Sequence, residues 1–291
     1  FPERNNLNIS LGVNGMYQTN TATNGTDFII PSYKQFDFGP FLFAKKSLGK
    51  LDIAGGIRYD MRSFNNDALY TKPDPVTGFD KPVYGADRAG ADNPFLAYSK
   101  TFSGFTGSLG ATYNFSEQFS VKANLARGFR APNISELSSN GVHPGTNIYQ
   151  IGNDNFKPEF SLQSDIGMVY TSKYAAIQLN FFNNRITNYI FNRKLIGVNG
   201  QDSVIIAGNQ TFKFQSGRAH LYGGELSVDL HPFKVLHFEN NLSVVYADNK
   251  GNNGDKMADS TRYLPLIPPL HGISELRFDF DLKSLAVKRG F

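Results

Sequence analysis

Every second connection in this sequence is long, and that rhythm constrains the fold more than any single motif. Between the connections, apolar and polar side chains alternate with period two, the mark of a strand. Over 51–62 one face reads Leu51, Ile53, Gly55, Ile57, Tyr59 and Met61, and the other Asp52, Ala54, Gly56, Arg58, Asp60 and Arg62. Residues 7–17, 105–115, 162–170, 226–230 and 236–246 repeat the pattern. The alternation predicts about ten strands, near 6–18, 34–44, 51–63, 101–115, 119–130, 160–171, 175–190, 211–230, 235–247 and 269–281, with an eleventh opening near Leu285. Most run to about 11 to 15 residues or more, about twice the usual globular strand. Helical periodicity is nearly absent, and one short helical turn is expected at 133–137. The connections at 45–50, 116–118, 172–174, 231–234 and 283–284 are short, and those at 19–33, 64–100, 131–159, 191–210 and 248–268 are long. An antiparallel up-and-down meander of such strands gathers the short turns at one end and the long loops at the other. That is the layout of a large transmembrane β-barrel, with periplasmic turns and extracellular loops.

A bilayer suits these strands. Every backbone N–H and C=O inside it must be paired within the protein, so only helices and closed barrels cross. The chain has no run of about 18 apolar residues for a helical span, whereas a tilted strand crosses with about 9–11 residues. Tyr17, Phe102, Tyr113, Phe115, Phe119, Phe129, Tyr170 and Tyr246 fall near strand ends, where aromatic girdles sit at headgroup depth. Loops as long as 64–100, rich in Pro, Gly and Asp, are uncommon in a compact soluble domain. The rival architecture is a soluble secreted β-sandwich binding module, for example a carbohydrate-binding one, whose strands alternate in the same way. The two differ in whether the apolar face meets lipid or a second sheet.

Composition removes several other classes. With 26 Phe and 14 Tyr the chain has too many buriable rings to be disordered. The absence of Cys excludes disulfides, thiolate metal sites and a Cys nucleophile. A formal charge of +4, with Lys and Arg scattered, makes no nucleic-acid face. There is no GxSxG, no P-loop, and no GxGxxG opening a helix, so no enzyme activity is expected and no cofactor is implied. The start, Phe1-Pro2-Glu3-Arg4-Asn5-Asn6, is neither a signal peptide nor a Met start, which leads to the expectation of a piece of a longer chain.

The stretch 127–159 reads Arg127-Gly128-Phe129-Arg130-Ala131-Pro132-Asn133, then Glu136-Leu137, then Ile151-Gly152-Asn153-Asp154-Asn155-Phe156-Lys157-Pro158-Glu159. It resembles the barrel domain of TonB-dependent outer-membrane receptors, with their "GFRAP" box, Glu-Leu pair and "GNPNLKPE" box. Asp154 stands for the usual Pro and Phe156 for the usual Leu. Asn180 through Ile190 resembles the family's next strand, Leu221-Tyr222-Gly223-Gly224-Glu225-Leu226 its "GxE" strand, and Leu266-Ile267-Pro268-Pro269 its proline step. The resemblance runs in order over about 101–281. It implies Phe129, Arg130, Pro132, Glu136, Asn153, Pro158 and Glu159 as structural motif residues, with Arg130 and Glu136 holding the loop at the strand end. Members of the family have about 22 strands around a plug. Residues 1–291 are therefore expected to form a partial outer-membrane β-barrel domain, without the N-terminal plug, the box that engages the energising partner and the final barrel strands.

What the resemblance implies for function is active transport into a Gram-negative cell. The receptor would take a scarce nutrient such as an iron chelate, siderophore or haem from outside, with the TonB complex supplying energy through the plug. The candidate ligand contacts are His143, Tyr149, Tyr84 and Tyr98. His143 lies in the loop between the two boxes, where haem receptors and some zinc receptors of the family carry a His, and neutral imidazole ligates both haem iron and Zn²⁺. The rings of Phe79, Phe95 and Phe156 are further candidates for stacking on a planar cargo. His220, His231, His237 and His271 read as ordinary polar positions, since no HxH or HExxH spacing is present. Asp52, Arg58, Asp60, Arg62, Lys122, Arg130, Asp165, Glu225, Asp229, Glu239, Glu275, Arg277 and Asp279 are expected to face inward, to water, plug or one another.

Overall fold

The computed structural model describes residues 5–279 apart from 24, 26, 144, 234 and 252–258. The predicted eleventh strand near Leu285 and the short connection at 283–284 lie outside the described residues. The strands are β1 (Leu7–Asn20), β2 (Tyr33–Leu48), β3 (Leu51–Asn66), β4 (Leu69–Pro73), β5 (Asp80–Pro82), β6 (Asp92–Phe95), β7 (Tyr98–Asn114), β8 (Phe119–Arg130), β9 (Asn140–His143), β10 (Ile148–Ile151), β11 (Glu159–Thr171), β12 (Ala175–Lys194), β13 (Gln210–Phe233), β14 (Leu236–Asn249) and β15 (His271–Phe278). Two short helices, α1 (Ile134–Ser138) and α2 (Asp259–Arg262), and a 3-10 turn at Gly85–Arg88 complete the described elements.

Ten of these strands are long and form the predicted meander, in the order β1-β2-β3-β7-β8-β11-β12-β13-β14-β15, each antiparallel to the next. Their registers align one face throughout. Ile57 opposes Gly107 and Tyr59 opposes Phe105, Leu109 opposes Leu125, and Leu226 opposes both Leu179 and Leu242. This face is apolar and bare: Leu11, Ile57 and Phe105 are 67%, 66% and 66% exposed. Among the described residues the only other sheet is the small β5-β4-β6 unit. Among the described residues no second sheet packs on the apolar face, as the sandwich alternative would require. The opposite face carries most of the charges, including Arg58, Asp60, Arg62 and Asp165, whereas Arg127 and Arg185 stand opposite Leu162 on the apolar side.

The short connections are built from local chemistry. The β2–β3 hairpin turns on Gly49 and Lys50, with Gly49 at φ 62°, a left-handed conformation that side chains resist. At the next two turns a serine replaces the missing backbone partners. Ser116 Oγ accepts from the N–H groups of Gln118 and Phe119 at 3.2 and 3.1 Å, and Ser172 Oγ from Tyr174 and Ala175 at 3.3 and 3.1 Å.

The long loops are more structured than the sequence suggested. Residues 64–100 fold the β4–β6 sheet, and 131–159 fold α1 and the β9–β10 hairpin. β12 and β13 also extend beyond their predicted ends, to Lys194 and from Gln210. A register shift between Thr187 and Tyr189 accommodates Asn188 at φ 55° as the pair continues past the sheet body. The main core lies at this long-loop end and not midway along the strands. Tyr33, Phe64, Phe102, Ala131, Ile134, Leu137, Phe156 and Ile190 pack together there, with Phe64 fully buried.

Candidate functional site

The two motif boxes meet at the long-loop rim around Arg130, the last residue of β8. Arg130 and Glu159 are register partners of adjacent antiparallel strands, so their side chains leave the sheet on the same side. The guanidinium donates from Nε to Glu159 Oε2 and from Nη2 to Glu159 Oε1, both at 2.6 Å. Its Nη1 donates to both oxygens of Glu136 at 2.9 Å. This fork-on-carboxylate geometry is one only arginine supplies. The carboxylates have further donors: Ile190 N–H gives to Glu159 Oε1 at 2.6 Å, and Asn133 N–H to Glu136 Oε2 at 2.9 Å. Asn133 Oδ1 in turn accepts from Glu136 N–H at 2.8 Å, which makes a capping box that starts α1. Pro132, just before it, is fully buried.

The second box closes over α1. Asn153 N–H donates to Glu136 C=O at 2.8 Å, and Gly152 N–H to Ser139 C=O at 2.6 Å. Asn188, the left-handed residue of β12, donates from Nδ2 to Pro158 C=O at 2.9 Å. Phe129 packs against the rim core, and Phe156 is buried within it. A Cβ on Gly152 would stand 2.6 to 2.7 Å from Ser138 N, Leu137 C and Ser139 N. All three are backbone atoms that no rotamer change can move. Gly152→Ala is therefore expected to cost about 2–3 kcal/mol and to increase hydrogen exchange over residues 133–139. Wild-type protection there would show that α1 shifts without cost.

The β9–β10 hairpin then crosses the mouth. β10 pairs in parallel with the start of β13, Ile148 opposite Gln210 through Ile151 opposite Lys213. On its other side, Asn140 N–H donates to Ile29 C=O in the β1–β2 loop at 3.0 Å, and Asn140 Nδ2 to Pro94 C=O in β6, within the long β3–β7 connection, at 3.0 Å. Loops from both halves of the sheet thus meet on one hairpin.

The four candidate contacts sit differently on this frame. His143 is exposed at the end of β9, opposite Ile148, and its C=O accepts from Thr146 N–H at 3.3 Å. Tyr84 is 64% exposed and precedes the 3-10 turn. Tyr149 is half-buried; its hydroxyl donates to Asn140 Oδ1 at 2.8 Å, and burial pushes its pKa up. The Tyr98 hydroxyl is 2.6 Å from Ser138 Oγ. Phe95 and Phe156 are 4% and 5% exposed, and Phe156 packs in the rim core. Below the rim, the polar face holds an open groove of about 330 Å³ lined by Asn14, Asp37, Arg58, Asp60, Arg62 and Arg130 among others. Arg62 pairs bidentately with Asp37 at 2.8 and 2.7 Å, and Arg58 Nε donates to Asp60 at 2.6 Å. Asp37 was missed from the sequence, although Phe36-Asp37-Phe38 displays it between two apolar residues. The contributions of Asn188 and Ile190 were also missed. An Asn amid a strand pattern was the available signal for Asn188, while Ile190 acts through its backbone and left none.

Residues 4–286 match the family described as TonB dependent receptor-like, beta-barrel. An iron-regulated outer membrane virulence protein of Vibrio cholerae serotype O1 is 27% identical over 168 residues, which cover 54% of this chain and 25% of that protein. A ferric enterobactin receptor of Pseudomonas aeruginosa is 26% identical over 170 residues, 54% of this chain and 22% of the receptor. The matches thus span about a quarter of these relatives' length. Among solved structures, a copper transporter, OprC, superimposes with a TM-score of 0.70 at 17% identity over 96% of this chain and 40% of its own, a likeness of fold.

Proposed function

Because the chain belongs to the TonB-dependent receptor-like β-barrel family, we propose that it forms part of the barrel wall of an outer-membrane receptor. The receptor takes up a scarce nutrient, an iron chelate of the siderophore or haem type, and draws its energy from a TonB complex. It moves its cargo and performs no chemistry on it. The observation that carries this reading is the division of one sheet into two faces. A bare apolar face has the properties lipid requires, and a charged face backs a rim where three long loops converge. Relatives named for iron regulation and for ferric enterobactin support the iron chelate as cargo class.

The cargo is held at the long-loop end. His143 on the β9 tip offers an imidazole to haem iron or to a metal in a chelate, and Tyr84 offers a ring for stacking. Tyr98 and Tyr149 have their hydroxyls engaged within the loops, so they contribute ring faces or hold the hairpin in place. Arg130, Glu136 and Glu159 set the position of that hairpin without touching the cargo.

The test is fractionation of cells making the protein, followed by titration of the purified protein in detergent with haemin and with ferric enterobactin, beside a His143→Ala variant. The protein is expected in the outer-membrane fraction, with haemin affinity at least about tenfold weaker in the variant, as loss of an axial ligand implies. Unchanged haemin affinity removes His143 as a ligand. A protein found only in soluble fractions removes the receptor itself.

A further inference from the structure

At the opposite end of the sheet, where β13 turns into β14, three ligand-type side chains come together outside the rim site. Asp229 and His231 are two residues apart on β13, so they share a face. The register shift between Leu230 and Phe233 ends the regular ladder there, and His237 enters from β14. The His231 and His237 rings lie 5.8 Å apart between centroids, and His231 Nδ1 stands 3.6 Å from Asp229 Oδ2. One ligand atom from each of the three falls within 4.8 Å of the others. This is the polar face, shared with Glu225 and Glu239, which would be the lumen of a closed barrel at its short-turn end.

Two observations separate the trio from an ordinary polar cluster. Asp229 Oδ1 and His231 Nδ1 are buried and have no hydrogen-bond partner among the described residues. Leaving such atoms unpaired is costly unless something else meets them. Among the described residues, Arg277 on the adjoining strand is engaged instead with Glu239 and Asp279, at 3.4 Å each. The side chains of Asp229, His231 and His237 are 37%, 24% and 22% exposed, enough for an ion to enter.

We propose that Asp229, His231 and His237 form a site for a divalent transition-metal cation of the Zn²⁺ class. Two neutral imidazoles and a carboxylate are the donor set such ions select over Mg²⁺ or Ca²⁺. With metal–ligand bonds of about 2.0–2.2 Å, neighbouring donors in a tetrahedral shell stand about 3.3–3.6 Å apart. The Asp229–His231 edge of 3.6 Å already matches that spacing. The other ligand atoms lie within 4.8 Å of one another, so binding would draw them together by little more than about 1 Å. The fourth position is open to water, and Asp279, 3.4 Å from His237 Nε2, flanks the ring as carboxylates flank metal-bound histidines. The site is independent of the uptake function and of His143.

Calorimetric titration of the EDTA-stripped protein in detergent with Zn²⁺ tests it, with Co²⁺ absorption as a second readout. Expected is one Zn²⁺ bound per chain at this site, weakened by more than about tenfold in His231→Ala and in His237→Ala and unaffected in His143→Ala and His271→Ala. Co²⁺ is expected to give an intense visible band that either variant abolishes. The band reports coordination directly, so a variant that folds poorly is recognised by its lost heat-modifiable mobility. Full Zn²⁺ affinity in both His variants, binding lost only in His143→Ala, or no Zn²⁺ binding by the wild type would each overturn the proposal.

Discussion

Phe64→Ala is expected to destabilise the protein by about 3–5 kcal/mol, the usual cost of emptying a fully buried phenylalanine site. Phe64 has no exposed surface, lies edge-on to Tyr33 at 6.1 Å between centroids, and sits in the rim core with Phe102, Leu137 and Phe156. The contributing residues come from β2, β3, β7, the β8–β11 connection and β12, so no single element can collapse into the gap. Phe64→Leu keeps most of the volume and should cost less than about 1.5 kcal/mol. Leu109→Ala is the control. Leu109 is 63% exposed on the apolar face, where lipid or detergent fills the space the side chain leaves, so no cavity term arises. Urea unfolding in detergent micelles measures all three. Equal losses for Phe64→Ala and Leu109→Ala would show that the rim core does not anchor the fold.

Arg130→Ala is the second large effect, at about 2–3 kcal/mol. Breaking a fully buried ion pair costs about 3–5 kcal/mol, and the value here is discounted because the Arg130 side chain is 43% exposed while those of Glu136 and Glu159 are each 10% exposed. Without the guanidinium two nearly buried carboxylates face one another, each keeping one backbone donor. Arg130→Lys should recover only part of the loss, since a point charge cannot fork to both partners. Adding Glu136→Gln to Arg130→Ala should return about 1 kcal/mol or more by removing the repulsion. Strictly additive losses in that cycle would mean the three groups do not act together. Hydrogen exchange should also rise over the β9–β10 hairpin, whose base this network fixes.

The long strands were legible because lipid on one side and water on the other impose the alternation residue by residue. Each of the ten predicted long strands overlaps an observed one, and β8 matches its predicted span of 119–130. The rim was legible only in part. The boxes identified Arg130, Glu136 and Glu159, but their joint contact depends on the register of β8 with β11, which alternation alone leaves open. The pairing of β10 with β13 was not legible at all. It joins residues about 62 positions apart through a four-residue strand too short to show a period. The Asp229–His231–His237 cluster was hidden for a related reason, because only the hairpin brings the third side chain back to the first two.

The parallel seam between β10 and β13 also has a mechanical meaning. Along most of the sheet each strand is fastened by one ladder on each side, so a tear running across it would part strands in order, breaking a few bonds at a time. At β13 the chain is clasped twice, by β12 along its length and by β10 at its start, and β10 is itself tethered on the far side of β11 and β12. Removing β13 therefore loads both clasps together. A tear is therefore resisted at that strand, so the hairpin acts as a rip-stop sewn across the rim.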